Sequence, residues 1–272
     1  MTRLILVTIA ISILFFSAAP ARDLIDNYSA VQMAMGRTSL SLINTAHVIA
    51  VNPALLRATT QYTIAANYQE FYDIPDIYLI DGGASYNGEW FAVGLLLSYF
   101  GDLEIYQERR GTVGLSFSPH QLVSLGVNLD FSSISFDERF DALSEFSYGI
   151  GAAVHFENFI LHAAASELNS PRLTTSDRKT KPGYRLGMHL TNNDNLCFNI
   201  EASGRGERDP QYHFGQEFRF EKIFFLRLGI VTNPSQPAAG LGIMWDWCVF
   251  HYALNDNSEL GQTHTFGVSI IL

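Results

Sequence analysis

From Tyr62 to the end of the chain, apolar side chains recur at every second position, segment after segment. In 122–132, Val123, Leu125, Val127, Leu129 and Phe131 oppose Ser124, Gly126, Asn128, Asp130 and Ser132. Residues 89–101 set Phe91, Val93, Leu95, Leu97 and Tyr99 against Ala92, Gly94 and Ser98. A period of two sends successive side chains to opposite faces of a strand, so these stretches read as β-strands with one apolar face and one polar or small-residue face. Fourteen such segments can be marked along the sequence. They run approximately over 62–71, 76–87, 89–100, 105–118, 121–135, 145–157 and 159–168, then over 182–191, 195–204, 210–221, 222–232, 237–246, 247–255 and 262–272.

The connections between segments add an independent signal. Those after even-numbered segments are tight, as at Asn87-Gly88, Pro119-His120, Glu157-Asn158, Glu221-Lys222 and Asp246. Those after odd-numbered segments are mostly longer and more polar, as at 136–144, 169–181, 206–209, 233–236 and 255–261. Short turns at one end and long loops at the other are the pattern of an outer-membrane barrel, with periplasmic turns and external loops. A soluble β-sandwich, the rival all-β reading, calls for more lysine on its exposed faces. Only Lys179, Lys181 and Lys222 occur, and charged residues are 16% of the chain, against roughly 25% in soluble domains. Aromatics reach 13% and gather at the ends of the apolar faces, as interfacial girdles do. The fold class is therefore all-β, a transmembrane antiparallel up-and-down barrel of about fourteen strands with its apolar face on outer-membrane lipid. The balance of 17 basic to 27 acidic residues argues against a nucleic-acid partner, since phosphate binding needs a basic surface.

The barrel reading also organises the N-terminus. Met1-Thr2-Arg3, the apolar run Leu4 to Phe16 and Ala19-Pro20-Ala21 have the three parts of a cleavable signal peptide. Residues 1–21 are accordingly expected to be removed on export to the outer membrane. Residues 22–60 do not alternate. With Ala34-Met35-Gly36 and Asn52-Pro53-Ala54 they suit a plug or periplasmic cap, ahead of a barrel spanning 61–272.

If the apolar face meets lipid, the opposite face lines the lumen. By alternation the polar lumen residues are Asp81, Asp130, His155, His162, Arg185, His189, Glu201, His213, Glu217, Arg219, Arg227 and Asp246. They serve either a conduit or ligand pocket, or pairs across neighbouring strands that fill the interior. Small inward residues such as Gly94, Gly149, Gly151, Gly187, Gly215 and Gly240 leave room that the N-terminal segment can occupy.

No enzyme motif emerges: G-x-S-x-G, H-E-x-x-H and the P-loop are missing, and Gly149-Ile150-Gly151 has no third glycine and no helix after it. The protein is read as non-enzymatic, without cofactor or metal; a lipid hydrolase on the barrel is the third choice. Cys197 and Cys248 begin segments four strands apart. At roughly 4.8 Å per strand that exceeds the about 7 Å a disulfide spans between Cα atoms, so both are expected as free, buried thiols.

Ala34-Met35-Gly36, then Asn52-Pro53-Ala54-Leu55-Leu56, and near the end Tyr252-Ala253-Leu254 with Leu260-Gly261-Gln262-Thr263-His264, resemble the PorV/PorQ family within the FadL-like barrels. That resemblance implies fourteen strands, a plug built on Met35, Gly36, Asn52, Pro53 and Ala54, and a role in type IX-like protein export. Secretion-system proteins or exported cargo would then be partners, meeting the external loop at Phe136, Phe140 and Leu143. The alternative is FadL-like transport of a hydrophobic small molecule, which needs inward apolar residues such as Phe225 and Met244.

Overall fold

The computed structural model describes residues 27–74, 77–101, 106–136, 142–170, 180–192 and 195–272. The expected signal peptide, 1–21, lies outside the described residues. Fourteen antiparallel strands close into one barrel, each paired with its neighbours in sequence and β1 with β14. The first seven are β1 (Tyr62–Glu70), β2 (Tyr78–Asn87), β3 (Phe91–Phe100), β4 (Tyr106–His120), β5 (Val123–Phe136), β6 (Leu143–His155) and β7 (Phe159–Ser166). The second seven are β8 (Gly183–Thr191), β9 (Leu196–Arg205), β10 (Gln211–Phe220), β11 (Phe224–Val231), β12 (Gln236–Trp245), β13 (Cys248–Asn257) and β14 (Gly261–Ile271). Pairs from Thr63↔Ile271 to Glu70↔His264 seal the seam between the first strand and the last. Tyr62 and Leu272 exchange two further backbone hydrogen bonds there. Closure removes the unpaired edges that an open sheet would leave. In β4–β5 the register shifts between Phe117 and His120.

Alternation sorts the two faces as the residue types require. Outward positions carry exposed apolar side chains: Leu97, Val113, Leu129, Phe131, Ile150, Leu186, Leu241 and Phe250 among them. Trp90, Trp245 and Trp247 are exposed at the tight turns between β2 and β3 and between β12 and β13. A continuous apolar outer surface calls for an apolar surrounding, and tryptophans at its rim suit a boundary where one side is wet. A positive charge at mid-height should then be costly. Val127→Arg is expected to lower unfolding stability in detergent or bilayer by about 2–4 kcal/mol. The same substitution would leave stability unchanged if water, not lipid, met this face; urea titration of the two proteins decides.

Inside, the lumen is occupied by residues 27–60. A five-residue helix, α1 (Ala30–Ala34), opens with a capping box, Ser29 accepting from the Gln32 backbone while the Gln32 side chain reaches back to Ser29. A second short helix, α2 (Val48–Val51), leads into a 3₁₀ turn, Pro53–Ala58. Asn52 caps that turn by accepting from the Ala54 backbone, and Pro53 takes the first position, where its missing N–H costs nothing. The Asn-Pro-Ala triplet is thus a start signal for this turn. α1 lies against β11, β12, β13 and β14, while the 3₁₀ turn lies against β2, β3, β4, β5 and β6. Leu40, Val48, Ile49, Leu55 and Leu56 from this segment form an apolar core with Ala92, Leu96 and Ala153 of the wall.

Candidate functional site

The interior contacts follow one rule: the segment's irregular backbone leaves N–H and C=O groups bare, and the wall supplies their partners. Glu201 on β9 accepts from the Ser39 N–H at 2.6 Å and from the Ser39 hydroxyl at 2.9 Å. On β10, Glu217 accepts from the Leu42 N–H at 2.8 Å. His213 Nδ1 donates to the Gly36 carbonyl at 2.9 Å, since a carbonyl only accepts, which leaves Nε2 to accept from Ser203. Asn199 donates to Leu40 O at 2.7 Å and Asn255 to Met33 O at 3.0 Å. Asn128 donates to Ile49 O, and Asn67 accepts from the Ala30 N–H. In the other direction Asn52 reaches the wall carbonyls of Ala152 and Ala163.

The two glutamates that hold the segment are also charge-paired. Arg185 on β8 lies 2.7 Å from Glu201 and donates as well to Arg37 O and the Tyr28 hydroxyl. Arg227 on β11 lies 2.8 Å from Glu217, and both side chains are completely buried. Arg227 can only donate, so His251 Nδ1 accepts from it and His251 Nε2 donates to Ser269. Toward β2, His47 of the N-terminal segment meets Asp81 at 2.5 Å, with Thr45 behind it. His162 lies 3.5 Å from Glu201.

Wall glycines complete the fit. A Cβ at Gly94 would meet Leu56 at 2.9 Å, and at Gly114 it would meet Ile49 at 2.7 Å. At Gly126 it would collide with Ala54, at Gly151 with Asn52, and at Gly229 with the Met35-Gly36 peptide. Met35 and Gly36 therefore lie directly on the wall at β11, and Asn52, Pro53 and Ala54 lie inside the lumen against β5 and β6.

The remaining sequence-derived residues fall as follows. Asp130 is half-buried and accepts from Thr112 at 2.6 Å. His155 closes β6 beside Ser124, and His189 donates to Asn199. Arg219 is half-buried at the tight-turn end of the lumen. There it borders a cavity of about 430 Å³ together with Asn44, His155 and His189. Phe225 is buried inside and Met244 half-buried beside it. Asp246 departs from expectation: it is exposed in the two-residue turn between β12 and β13, with φ of 58°. Alternation had been carried one residue past the strand, into a left-handed position that Asp tolerates. Cys197 shares the inward face of β9 and is buried, but Cys248, the first residue of β13, lies on the outward face and is only half-buried. Phe136 and Leu143 are the last residue of β5 and the first of β6, and Phe140 lies outside the described residues.

Sequence reasoning passed over Asn67, Asn128, Asn199, Asn255 and His47, because it looked for titratable wall residues alone. A signal existed, since asparagine is disfavoured within strands and these four sit at inward positions of β1, β5, β9 and β13.

No family model matches the sequence, and no curated protein matches it. Among solved structures it is similar to the CymD monoaromatic hydrocarbon channel, with TM-score 0.65, 10% identity, and 90% of this chain and 97% of that one covered. The Pseudomonas putida toluene transporter TodX gives TM-score 0.65 at 12% identity, covering 90% and 98%. A Pseudomonas aeruginosa FadL homologue gives 0.60 at 11%, covering 89% and 97%. At such identities the likeness is one of fold, the FadL-like barrel, and it does not carry the PorV/PorQ resemblance.

Proposed function

We propose that the protein is an outer-membrane barrel that takes up a small hydrophobic molecule and is held closed by its N-terminal segment. The long-loop end then faces outside and the tight turns face the periplasm. The observation that carries this reading is an aromatic patch inside the outer mouth of the lumen, separate from the apolar core around the N-terminal segment. Phe71, Leu79 and Phe100 are buried together there, with Tyr72, Ile77 and Tyr106 packed on them. Phe71 and Phe100 meet edge to face at 5.5 Å, a favoured arrangement that offers ring edges and faces to an aromatic guest. The similar structures titled as hydrocarbon channels support the same choice of cargo class.

The test is initial uptake of radiolabelled toluene by Gram-negative cells that lack their own hydrocarbon channel. Expression should raise the rate several-fold over empty vector, and Phe71→Ala should return most of that gain while leaving the folded barrel in the membrane. A rate equal to empty vector, with folded barrel present, rejects the reading.

The export role implied by PorV/PorQ stands second. Its plug motifs, Met35-Gly36 and Asn52-Pro53-Ala54, are spent on packing within the barrel, so they do not separate the two roles. A photo-crosslinker at position 140 that captures a secreted protein would put export first. A hydrolase is disfavoured. The pairs Ser124–His155, Ser203–His213 and Ser269–His251 face the lumen, where Ser124 also holds Ala54 O and His213 holds Gly36 O.

A further inference from the structure

Most strand glycines are explained by what would collide with a side chain, but Gly82 and Gly111 are not. Both sit on the outward face. A Cβ at Gly82 would find nothing nearer than 3.6 Å, and at Gly111 nothing nearer than Leu97 at 3.4 Å. The other outward strand glycine among the described residues, Gly204, is covered by the Tyr184 ring. Glycine in a strand interior weakens it and often marks a place where a ligand approaches closely. Within this chain these two meet only ordinary van der Waals contacts, so neither glycine is required by the chain's own packing.

Register places them in one row across the wall: Gly82 opposite Leu97, Leu97 opposite Gly111, Gly111 opposite Phe131. The row forms a groove of about 740 Å³, open along its outer side and walled by Ile80, Leu97 and Phe131. That volume lies within the roughly 300–1,000 Å³ of small-molecule sites. The backbone pairing beneath it is unbroken, so the groove does not open into the lumen. Arg109 stands at its upper end, two residues from Gly111 toward the long loops, about 7 Å along the strand. Among the described residues it is the only Lys or Arg on the outward face of any strand. It is exposed, and the partner it has in the structure is the neutral Gln107, at 3.2 Å.

We propose that this groove is a binding site for a phosphate-bearing lipid of the outer leaflet, with acyl chains on either side of Leu97, over Gly82 and over Gly111, and the phosphate on Arg109. A guanidinium presents a fork of donors suited to a phosphate. Its place near the outer rim puts it at headgroup height, while the two glycines lie deeper, at acyl-chain height. The site rests on the lipid-facing outer surface and on no property of the cargo, so it can stand even where the uptake test fails.

Native mass spectrometry of the purified, delipidated full-length barrel tests it, with diphosphorylated lipid A as probe and diacylglycerol as its uncharged counterpart. Wild type should take up one lipid A at about tenfold lower concentration than diacylglycerol, the difference a charge-assisted hydrogen bond supplies. Arg109→Gln should abolish that difference, and Gly111→Leu, which fills the groove without touching the lumen, should weaken both lipids. Equal binding of the two lipids by wild type overturns the proposal. So does lipid A binding that both variants leave unchanged. Heat-dependent gel migration confirms that each variant is folded, and because Arg109 is exposed its substitution keeps the test open even where Gly111→Leu fails to assemble.

Discussion

Glu217→Ala should unfold at markedly lower urea than the parent protein, by about 3–5 kcal/mol, the usual cost of leaving one member of a buried ion pair alone. Two losses combine in that variant. Arg227, with no exposure, loses an acceptor that takes both its Nε and Nη2 protons, at 3.0 and 2.8 Å. The Leu42 N–H of the N-terminal segment loses its partner as well. Arg227 keeps His251 and the face of Phe225, 5.2 Å from the ring centre, but neither neutralises its charge. The double variant Glu217→Ala with Arg227→Met should recover a large part of the loss, because replacing both charges by apolar groups removes the uncompensated one. What it cannot restore is the Leu42 hydrogen bond. The residual deficit of the double variant therefore holds the Leu42 attachment together with two smaller wall contacts, the Cys197 thiol on Glu217 and Arg227 on His251. Urea titrations monitored by tryptophan fluorescence give all three numbers. A single variant as stable as wild type would mean that Arg227 reaches water, against the packing described above.

The wall was legible because two solvents write it. Lipid outside and a polar interior impose an alternation that each strand repeats independently of its neighbours. Val123–Phe136 and Phe91–Phe100 consequently fall within about two residues of the segments read from sequence. Alternation fails only where the strand stops, which is how Asp246 came to be assigned to the lumen. The interior was less legible for a different reason. Ser39 meets Glu201 across 162 positions of sequence and Met33 meets Asn255 across 222. No local period encodes such pairs. What the sequence did show was their residue type: carboxylates, asparagines and glycines at inward strand positions, each of little use to a strand by itself. Arg185 and Glu201 lie on adjacent strands and pair as wall-filling residues do, yet Glu201 also binds Ser39. The two roles weighed from sequence, filling the wall and serving the lumen's contents, are thus combined in single side chains.

Gly36→Val should loosen the N-terminal segment from the wall and raise the conductance of the barrel in a planar bilayer. Gly36 has φ of +68°, a left-handed conformation that costs a side-chain-bearing residue about 1–2 kcal/mol. The steric problem is larger. A Cβ there would lie 2.6 Å from Ile230 N, 2.7 Å from Ile230 O and 2.7 Å from Phe214 O. These are backbone atoms of β10 and β11, paired with each other in the barrel wall, so they cannot give way without opening it. The turn has to move instead, and His213 then loses the Gly36 carbonyl it donates to. The rest of the segment stays held by Asn52, His47 and the apolar packing around Leu55 and Leu56. The expected record is therefore intermittent opening, not a permanent pore. Deleting residues 22–58 removes every one of these contacts and should give a larger, steady conductance. Gly82→Ala is the control, because its added methyl points outward into open space and should leave the trace as in wild type. A folded Gly36→Val barrel with wild-type conductance, together with a deletion variant that stays equally closed, would show that residues 27–60 fill the lumen without being what closes it.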